Sequence, residues 1–205
     1  MEALPIWERS TAMSPISKAE IRKAVFAARA ASDREENARG DAGILENLRS
    51  LFAPVFSSCR TVYVYAGVRG EAKTEAICAF FAGRGYRLAF PRVAEKELAF
   101  FYVTAPQQLK KGAFGILEPD GGCERAVCRA APVIVPGVAF SPDGVRVGHG
   151  AGYYDRFLAE EPGHPAVAIG YDFQIFDAVP EEAHDRRMDW IVTPTRVFDC
   201  RNRKF

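Results

Sequence analysis

The chain has 205 residues, of which 48% are apolar and 26% are charged, so it is able to bury an ordinary hydrophobic core and lacks the composition of a disordered chain. Its 27 basic and 26 acidic residues leave a formal net charge of +1, which argues against the broad basic surface that nonspecific binding to nucleic acid or an anionic membrane requires. Because it has neither a run of about 18 apolar residues nor a signal-peptide pattern, we expect a cytoplasmic protein that does not bind membranes.

The five cysteines form no C-x-x-C pair, and their odd number fits a disulfide framework poorly. Reduced thiols in a cytoplasm are the simplest interpretation. A zinc site on Cys123 and Cys128 would need further ligands, and the three histidines, at positions 149, 164 and 184, lie in unrelated contexts. We therefore do not expect structural zinc.

Two helices open the predicted order of elements. Ser17 followed by Glu20 has the form of a capping box, and apolar residues then recur at helical spacing, which predicts a helix over Lys18–Ala31. A second helix is predicted over 36–52, because isoleucine and leucine residues form one apolar side and Pro54 ends it.

Short β-branched and aromatic runs then alternate with helical segments, an order typical of a layered α/β sheet that is mostly parallel. The first run stops at a glycine and the second at Pro91, which predicts that both strands end there. The predicted strands are 61–67, 86–90, 98–103, 132–135, 166–169 and 190–192, and the predicted helices are 74–83 and 153–159.

The remaining segments have weak periodicity. Residues 110–131 are rich in glycine and charge, which predicts a loop or a small excursion from the sheet. We expect residues 1–16 to be a flexible N-terminal extension and residues 17–205 to form a single domain, with a solvated basic tail over 201–205.

The most informative segment follows the strand predicted at 132–135. After a Pro-Gly pair at 136–137, three glycines alternate at positions 148, 150 and 152, directly before the helix predicted at 153–159. Glycines let the backbone approach an anion closely, and a helix N-terminus offers unpaired N–H groups. With the charge of Arg146 beside them, the spacing favours a phosphate loop, although a plain glycine turn has the same spacing.

The loop matches neither standard nucleotide-binding fingerprint, because Tyr153 and Tyr154 stand where the Walker pattern needs Lys and Ser or Thr. Asp155 follows directly. A carboxylate beside a phosphate loop is able to hold Mg²⁺, and a helix-start aspartate favoured by the helix dipole is the alternative.

The same segment closely resembles the signature of the 5-formyltetrahydrofolate cyclo-ligase family, also called 5,10-methenyltetrahydrofolate synthetase. That signature reads PG, then an F, a D and R-L-G-x-G-x-G-Y-Y-D, against PGVAFSPDGVRVGHGAGYYD at residues 136–155. KAEIR at 18–22, GEAKTE at 70–75 and FGILEP at 114–119 match in the family's order. The resemblance extends from Lys18 to Thr193, which is most of the chain.

The resemblance implies a three-layer α/β/α fold with a mostly parallel central sheet, of the NagB/RpiA/CoA-transferase-like type. It also implies a ligase that converts 5-formyltetrahydrofolate to 5,10-methenyltetrahydrofolate, with Mg²⁺ as cofactor and ATP as co-substrate. A formyl oxygen is a poor leaving group until it is phosphorylated, after which N10 is able to attack the carbon. We expect small-molecule substrates, no nucleic acid and a monomer.

The resemblance also assigns roles to residues. Lys18 and Arg22 would reach the ATP phosphates from the first helix, and Glu71 would accept hydrogen bonds from the pterin; a solvated helix face and an exposed loop carboxylate are the alternatives. Asp189 would lie near magnesium, or would merely cap a loop. The implied catalytic residues are Arg146, Tyr153 and Asp155; the ATP-binding residues are Lys18, Arg22, Arg146, Val147, Gly148, His149, Gly150, Ala151, Gly152, Tyr153 and Tyr154; the substrate-binding residues are Glu71, Pro136, Gly137, Gly150, Gly152 and Tyr153; and the metal ligands are Asp155 and Asp189.

Two positions in the glycine loop vary in the family. Ala151 brings no charge to the phosphates, and His149 either assists phosphate binding when protonated or is an exposed loop histidine. Two rival hypotheses remain from the sequence. One is a relative that binds the ligands without closing the ring, and the other is a small nucleic-acid-binding module, which the net charge disfavours.

Overall fold

A computed structural model describes residues 16–51, 55–57, 59–68, 70–94, 97–112 and 115–201. Residues 1–15 of the predicted extension, the predicted end of the second helix at 52 and the basic tail after residue 201 lie outside the described residues. The helices are α1 (Lys18–Ala31), α2 (Arg34–Ser50), α3 (Glu75–Ala82) and α4 (Tyr153–Glu160). The strands are β1 (Thr61–Tyr63), β2 (Arg87–Ala94), β3 (Glu97–Val103), β4 (Leu109–Lys111), β5 (Leu117–Pro119), β6 (Val133–Val135), β7 (Ala139–Phe140), β8 (Arg146–Val147), β9 (Ala166–Ile169), β10 (Trp190–Val192) and β11 (Val197–Asp199).

A seven-stranded sheet forms the centre, in the order β11-β10-β9-β6-β1-β2-β3. The inner pairs β10–β9, β9–β6, β6–β1 and β1–β2 are parallel, and the two edge pairs, β10–β11 and β2–β3, are antiparallel. This confirms the prediction of an α/β fold with a mostly parallel sheet. The pairs β4–β5 and β7–β8 form separate two-stranded sheets, and the first of them confirms a small excursion within 110–131.

The sheet separates two hydrophobic clusters, because successive side chains of a strand point to opposite faces. In β9, Val167 and Ile169 pack in the cluster that contains residues of α2 and α3, whereas Ala166 and Ala168 pack in the cluster that contains residues of α4. Helices therefore cover both faces, which confirms the three-layer architecture.

Helix α1 packs against the β7–β8 sheet and against residues 172–174. Ser17 caps it through the predicted capping box with Glu20. Its apolar residues Ile21 and Val25 are buried against the segment of residues 138–147. This packing brings the polar face of α1 to the loop that follows β8.

The prediction that the second strand ends at Pro91 is wrong. Strand β2 continues through Pro91 to Ala94 and pairs with β3 along its length. Strand β1 pairs only with residues 87–89 of β2. At Pro91, therefore, β2 has a partner strand in the described structure on one side only, and that partner is β3. A proline, which has no N–H to donate, is tolerated on such an edge.

Five other elements differ from the predictions. Strand β1 ends at Tyr63 instead of at Gly67, because its ladder with β2 covers only 61–63. Helix α2 begins at Arg34 instead of 36, because the Asp33 side chain accepts a hydrogen bond from the N–H of Glu36 and caps it. The short strands β7, β8 and β11 were not predicted, since two or three residues carry no readable alternation. In the described part of the chain, no helix has the length and apolar character needed to cross a membrane.

Candidate active site

The predicted phosphate loop lies between β8 and α4, and glycine permits its backbone path. Gly150 and Gly152 have φ angles of 110° and 66°, in the left-handed region that favours glycine. Gly152 is also the N-cap residue of α4, and no side chain among the described residues caps that helix end. The first N–H groups of α4, with the positive end of the helix dipole, therefore suit an anion.

A cavity of about 440 Å³ borders this loop. Residues 150–152, Asp155 and Arg156 line it on one side, and residues 183–186 line it as well. The glycine loop thus opens on a cleft and is not sealed inside the core, as a phosphate-binding role requires.

Arg146 and Asp155 form a buried ion pair beside the loop. Nη2 of Arg146 lies 2.7 Å from Oδ1 of Asp155, and the two side chains are 4% and 13% exposed. Nη1 of Arg146 donates to the carbonyl of Pro136, and the N–H of Arg186 donates to Asp155. Direct contact between Arg146 and phosphate stays a prediction, because the contacts seen here are those of a residue that holds Asp155 in place.

The two cationic side chains predicted on α1 contact two different segments of the chain. Nε of Arg22 donates to the carbonyl of Gly148 at 2.8 Å. Nζ of Lys18 lies 2.6 Å from Oδ2 of Asp185 and 3.3 Å from Oε1 of Glu182. These contacts differ from those of a solvated helix face, the alternative interpretation.

The acidic side chains around Lys18 form a cluster with a histidine. Within the described residues, one group of three potential metal ligands occurs, Glu182, His184 and Asp185, whose ligand atoms lie within 4.8 Å of one another. The ammonium group of Lys18 already binds both carboxylates of this group. Its geometry is therefore explained by a lysine without a metal ion.

Glu71, the predicted pterin-binding acid, is buried and touches the loop. Its Oε1 lies 3.4 Å from Nε2 of His149 and 3.9 Å from Nη1 of Arg29, and its Oε2 accepts the N–H of Val68. Burial raises the pKa of the Glu71 carboxyl, because the charged form is poorly solvated there, while the Val68 N–H and Arg29 act in the opposite direction. The alternative of an exposed loop carboxylate does not match this environment.

His149 turns from the cavity side of the loop toward α1 and Glu71. Its ring stacks on Phe26 at a centroid distance of 6.0 Å and an interplanar angle of 23°. Burial, followed by the charges of three nearby arginines, lowers the pKa of His149. A neutral imidazole at pH 7 fits a partner of Glu71 better than a cation for phosphate.

Arg29 and Gln174 hold the Pro-Gly turn that follows β6, and neither had been given a role from the sequence. The carbonyl of Gly137 accepts from Nη2 of Arg29 at 2.8 Å and from Nε2 of Gln174 at 2.9 Å. A Cβ atom on Gly137 would lie 2.5 Å from the Phe140 ring, so this close approach needs glycine. Helical spacing was a usable signal for Arg29, because it follows Arg22 by two turns on the same face of α1.

The two tyrosines at the start of α4 have different surroundings. Tyr153 is half-buried, and the guanidinium carbon of Arg156 lies 5.1 Å from its ring centroid. Tyr154 packs against the core cluster on the α4 side, and burial raises the pKa of its hydroxyl. Of the two tyrosines, Tyr153 therefore packs against a residue that lines the cavity, Arg156.

Asp189 directly precedes β10, at the N-terminal ends of the parallel strands, whereas the Pro-Gly turn follows the C-terminal end of β6. Its Oδ2 accepts the N–H of Ala166, the first residue of β9, at 2.8 Å, and its Oδ1 lies 3.7 Å from Nη2 of Arg186. Arg186 contacts both aspartates, because its guanidinium lies near Asp189 and its backbone N–H donates to Asp155. These contacts favour the alternative in which Asp189 caps a chain turn, and its role as a metal ligand stays a prediction.

The family model described as the 5-formyltetrahydrofolate cyclo-ligase family matches residues 15–194. The chain belongs to this family. A 5-formyltetrahydrofolate cyclo-ligase of Mycolicibacterium smegmatis is 32% identical over 193 residues, which cover 90% of this chain and 97% of the relative. A probable 5-formyltetrahydrofolate cyclo-ligase of Caenorhabditis elegans is 26% identical over 199 residues, covering 89% and 96% of the two chains.

The fold of this cyclo-ligase family member is similar to that of a solved structure. The NMR structure of Aquifex aeolicus 5,10-methenyltetrahydrofolate synthetase has a TM-score of 0.79 and 34% sequence identity, and the match covers 92% of this chain and 95% of that one. The sequence-based recognition of the family is therefore confirmed. The structure brings Glu71, Arg22 and Arg146 to the glycine loop, and it places Asp189 at the opposite strand ends.

Proposed function

We propose that this chain catalyses the ATP- and Mg²⁺-dependent conversion of 5-formyltetrahydrofolate to 5,10-methenyltetrahydrofolate, with release of ADP and phosphate. The observation that supports this most directly is that one loop contacts two regions of different chemistry. Residues 150–152 border a cavity at a helix N-terminus, which suits phosphates, and His149 of the same loop contacts the buried carboxylate of Glu71, which suits pterin N–H groups. Phosphoryl transfer between two substrates requires such closeness.

In the proposed reaction, the γ-phosphoryl group of ATP is transferred to the formyl oxygen, and its bond to the bridging oxygen of ADP breaks. N10 then attacks the activated carbon and loses its proton to solvent, and the carbon–oxygen bond breaks with release of phosphate. The N–H groups at the start of α4 would bind the phosphoryl oxygens as charge is redistributed. No covalent bond to the protein is needed.

Asp155 fits the role of magnesium ligand. Asp155 lines the cavity together with residues 150–152. Mg²⁺ in nucleotide sites takes one or two carboxylate oxygens, phosphate oxygens and several waters, and would supply neutralisation of the phosphate charge. Asp189 fits less well, because both of its oxygens contact donors at the other ends of the strands, Ala166 and Arg186.

Positioning groups would hold these reactive parts in register. Arg146 fixes the Asp155 carboxylate from inside the fold, and Arg29 spans the Gly137 carbonyl and the Glu71 carboxylate. The neutral His149 links Glu71 to the glycine loop. We propose that this chain of contacts places the formyl group of the folate against the terminal phosphate.

The direct test is a turnover assay. Purified protein is mixed with 5-formyltetrahydrofolate, ATP and Mg²⁺, and the near-ultraviolet absorbance of the methenyl product is followed. We expect signal that requires ATP and is abolished when ADP replaces it. Folded protein that binds both substrates but gives no ATP-dependent signal would contradict the proposal and favour the relative that binds without catalysis.

A further inference from the structure

Most cationic side chains around the glycine loop are bound to protein groups. Arg22 donates to the Gly148 carbonyl, and Arg146 binds Asp155 and is 4% exposed. His149 contacts Glu71 and has a lowered pKa. Two other cations lie near the cavity. Lys18 binds Asp185 and Glu182, and Arg186 lines the cavity and donates to the carbonyl of Arg187.

Arg156 is an exposed residue that lines the cavity together with residues 150–152. It lies in the first turns of α4, and long side chains on a helix lean back toward its N-terminus. Accordingly, Nη1 of Arg156 donates to the carbonyl of Ala151 at 2.9 Å, and the guanidinium carbon lies 5.1 Å from the Tyr153 ring centroid. The guanidinium therefore reaches back over the loop at the helix end that would bind phosphate.

Gly152 permits this approach. A Cβ atom on Gly152 would lie 2.9 Å from Nη1 of Arg156, so a side chain there would displace the guanidinium. The guanidinium carries five N–H donors in a planar fork, so a hydrogen bond to Ala151 is compatible with a bidentate contact to phosphate. The loop itself has no cationic side chain at position 151.

We propose that Arg156 binds the phosphates of the nucleotide held by residues 148–152, and that it supplies the side-chain cation that position 151 lacks. The inference rests on the proposed function, because it assumes that the cavity takes ATP. Charge-assisted hydrogen bonds from guanidinium to phosphate are about twice as strong as neutral ones, so the contact should be visible in nucleotide affinity.

The test measures the Kd of ADP and, separately, of 5-formyltetrahydrofolate by isothermal titration calorimetry, without turnover. Arg156→Gln should weaken ADP binding about tenfold or more and leave the folate Kd and the melting temperature nearly unchanged. The double variant Ala151→Lys/Arg156→Gln should recover most of the lost ADP affinity, because the new ammonium lies in the same loop.

Arg60→Gln is a matched control. Arg60 is also exposed, donates to a backbone carbonyl, that of Arg84, and has its guanidinium carbon 5.2 Å from the ring centroid of Tyr86. This change should alter neither Kd, because Arg60 precedes β1, at the strand ends away from the Pro-Gly turn.

Three results would overturn the inference. The first is an Arg156→Gln variant that binds ADP as the unchanged protein does. The second is a variant that loses ADP and folate affinity equally with a lower melting temperature, which would make the guanidinium structural. Failure of the unchanged protein to bind ADP at all would overturn the proposed function as well, so the two failures are distinguishable.

Discussion

Arg146 gives the sharpest test of how the site is built. The sequence predicts that Arg146→Ala lowers turnover much more than stability, since its expected partner is a ligand phosphate. The structure instead shows the guanidinium 4% exposed and 2.7 Å from Asp155, with a second bond to the Pro136 carbonyl. Removing one partner of a buried ion pair leaves a buried charge unpaired, which costs about 3–5 kcal/mol.

We therefore expect Arg146→Met to lower the free energy of unfolding by about 3–5 kcal/mol. For a chain of this size, about 2–4 °C of melting temperature is lost per kcal/mol, so the melting temperature should fall by roughly 6–20 °C. Arg146→Lys should recover part of the loss, because an ammonium keeps the charge but not the forked geometry.

The measurement is urea unfolding with a double-mutant cycle on Arg146 and Asp155. Replacing both residues with apolar ones of similar volume, Arg146→Met with Asp155→Leu, should destabilise less than Arg146→Met alone, because no charge is then left unpaired. If Arg146→Met loses less than about 1 kcal/mol and nucleotide binding nevertheless disappears, the guanidinium acts on the ligand and the structural reasoning is refuted.

Four further predictions concern the site. Glu71→Gln should raise the Kd of folate more than that of ADP, because we propose that the buried Glu71 carboxylate accepts hydrogen bonds from the pterin; equal losses in calorimetry would contradict this. The pKa of His149 in the folded chain lies below its ordinary 6.5, so the unfolded chain binds more protons and the free energy of unfolding decreases as the pH is lowered through 6.5. His149→Gln should make the free energy of unfolding depend less on pH in urea titrations between about pH 5 and 7.5. Gly152→Ala, at φ 66°, should cost about 1–2 kcal/mol and weaken ADP binding, whereas Gly85→Ala, at φ 76° with no described atom within 4 Å of its added Cβ, should cost stability alone. Asp189→Asn should lower the melting temperature without changing the Mg²⁺ concentration that half-saturates turnover; a raised Mg²⁺ requirement at unchanged stability would restore it as a metal ligand.

Local patterns in the sequence were sufficient to predict those elements whose formation depends on residues close together in the chain. The capping box of Ser17 and Glu20 and the apolar spacing after it predicted α1 at its observed bounds, because capping and helical periodicity act within a few residues. β-branched and aromatic composition likewise located the parallel strands, but not the ends of β1 and β2, which lie at Tyr63 and Ala94. The glycine pattern at 148–152 predicted a loop directly before a helix, since positive φ angles need glycine whatever surrounds them.

Contacts between distant residues were not predictable in this way. The continuation of β2 through Pro91 depends on its edge position beyond β1, which is a property of strand order. The same holds for Asp189, whose carboxylate meets the N–H of Ala166 only because β9 and β10 are neighbours.

For function, the sequence by itself determined the family and the backbone of the glycine loop. The tertiary structure decided what each charged side chain does: Arg146 is buried on Asp155, Arg156 lines the cavity, and His149 contacts Glu71. The physical reason is that a long side chain binds the nearest group of complementary charge or hydrogen-bonding capacity. Which group is nearest depends on how helices and strands far apart in the chain pack together.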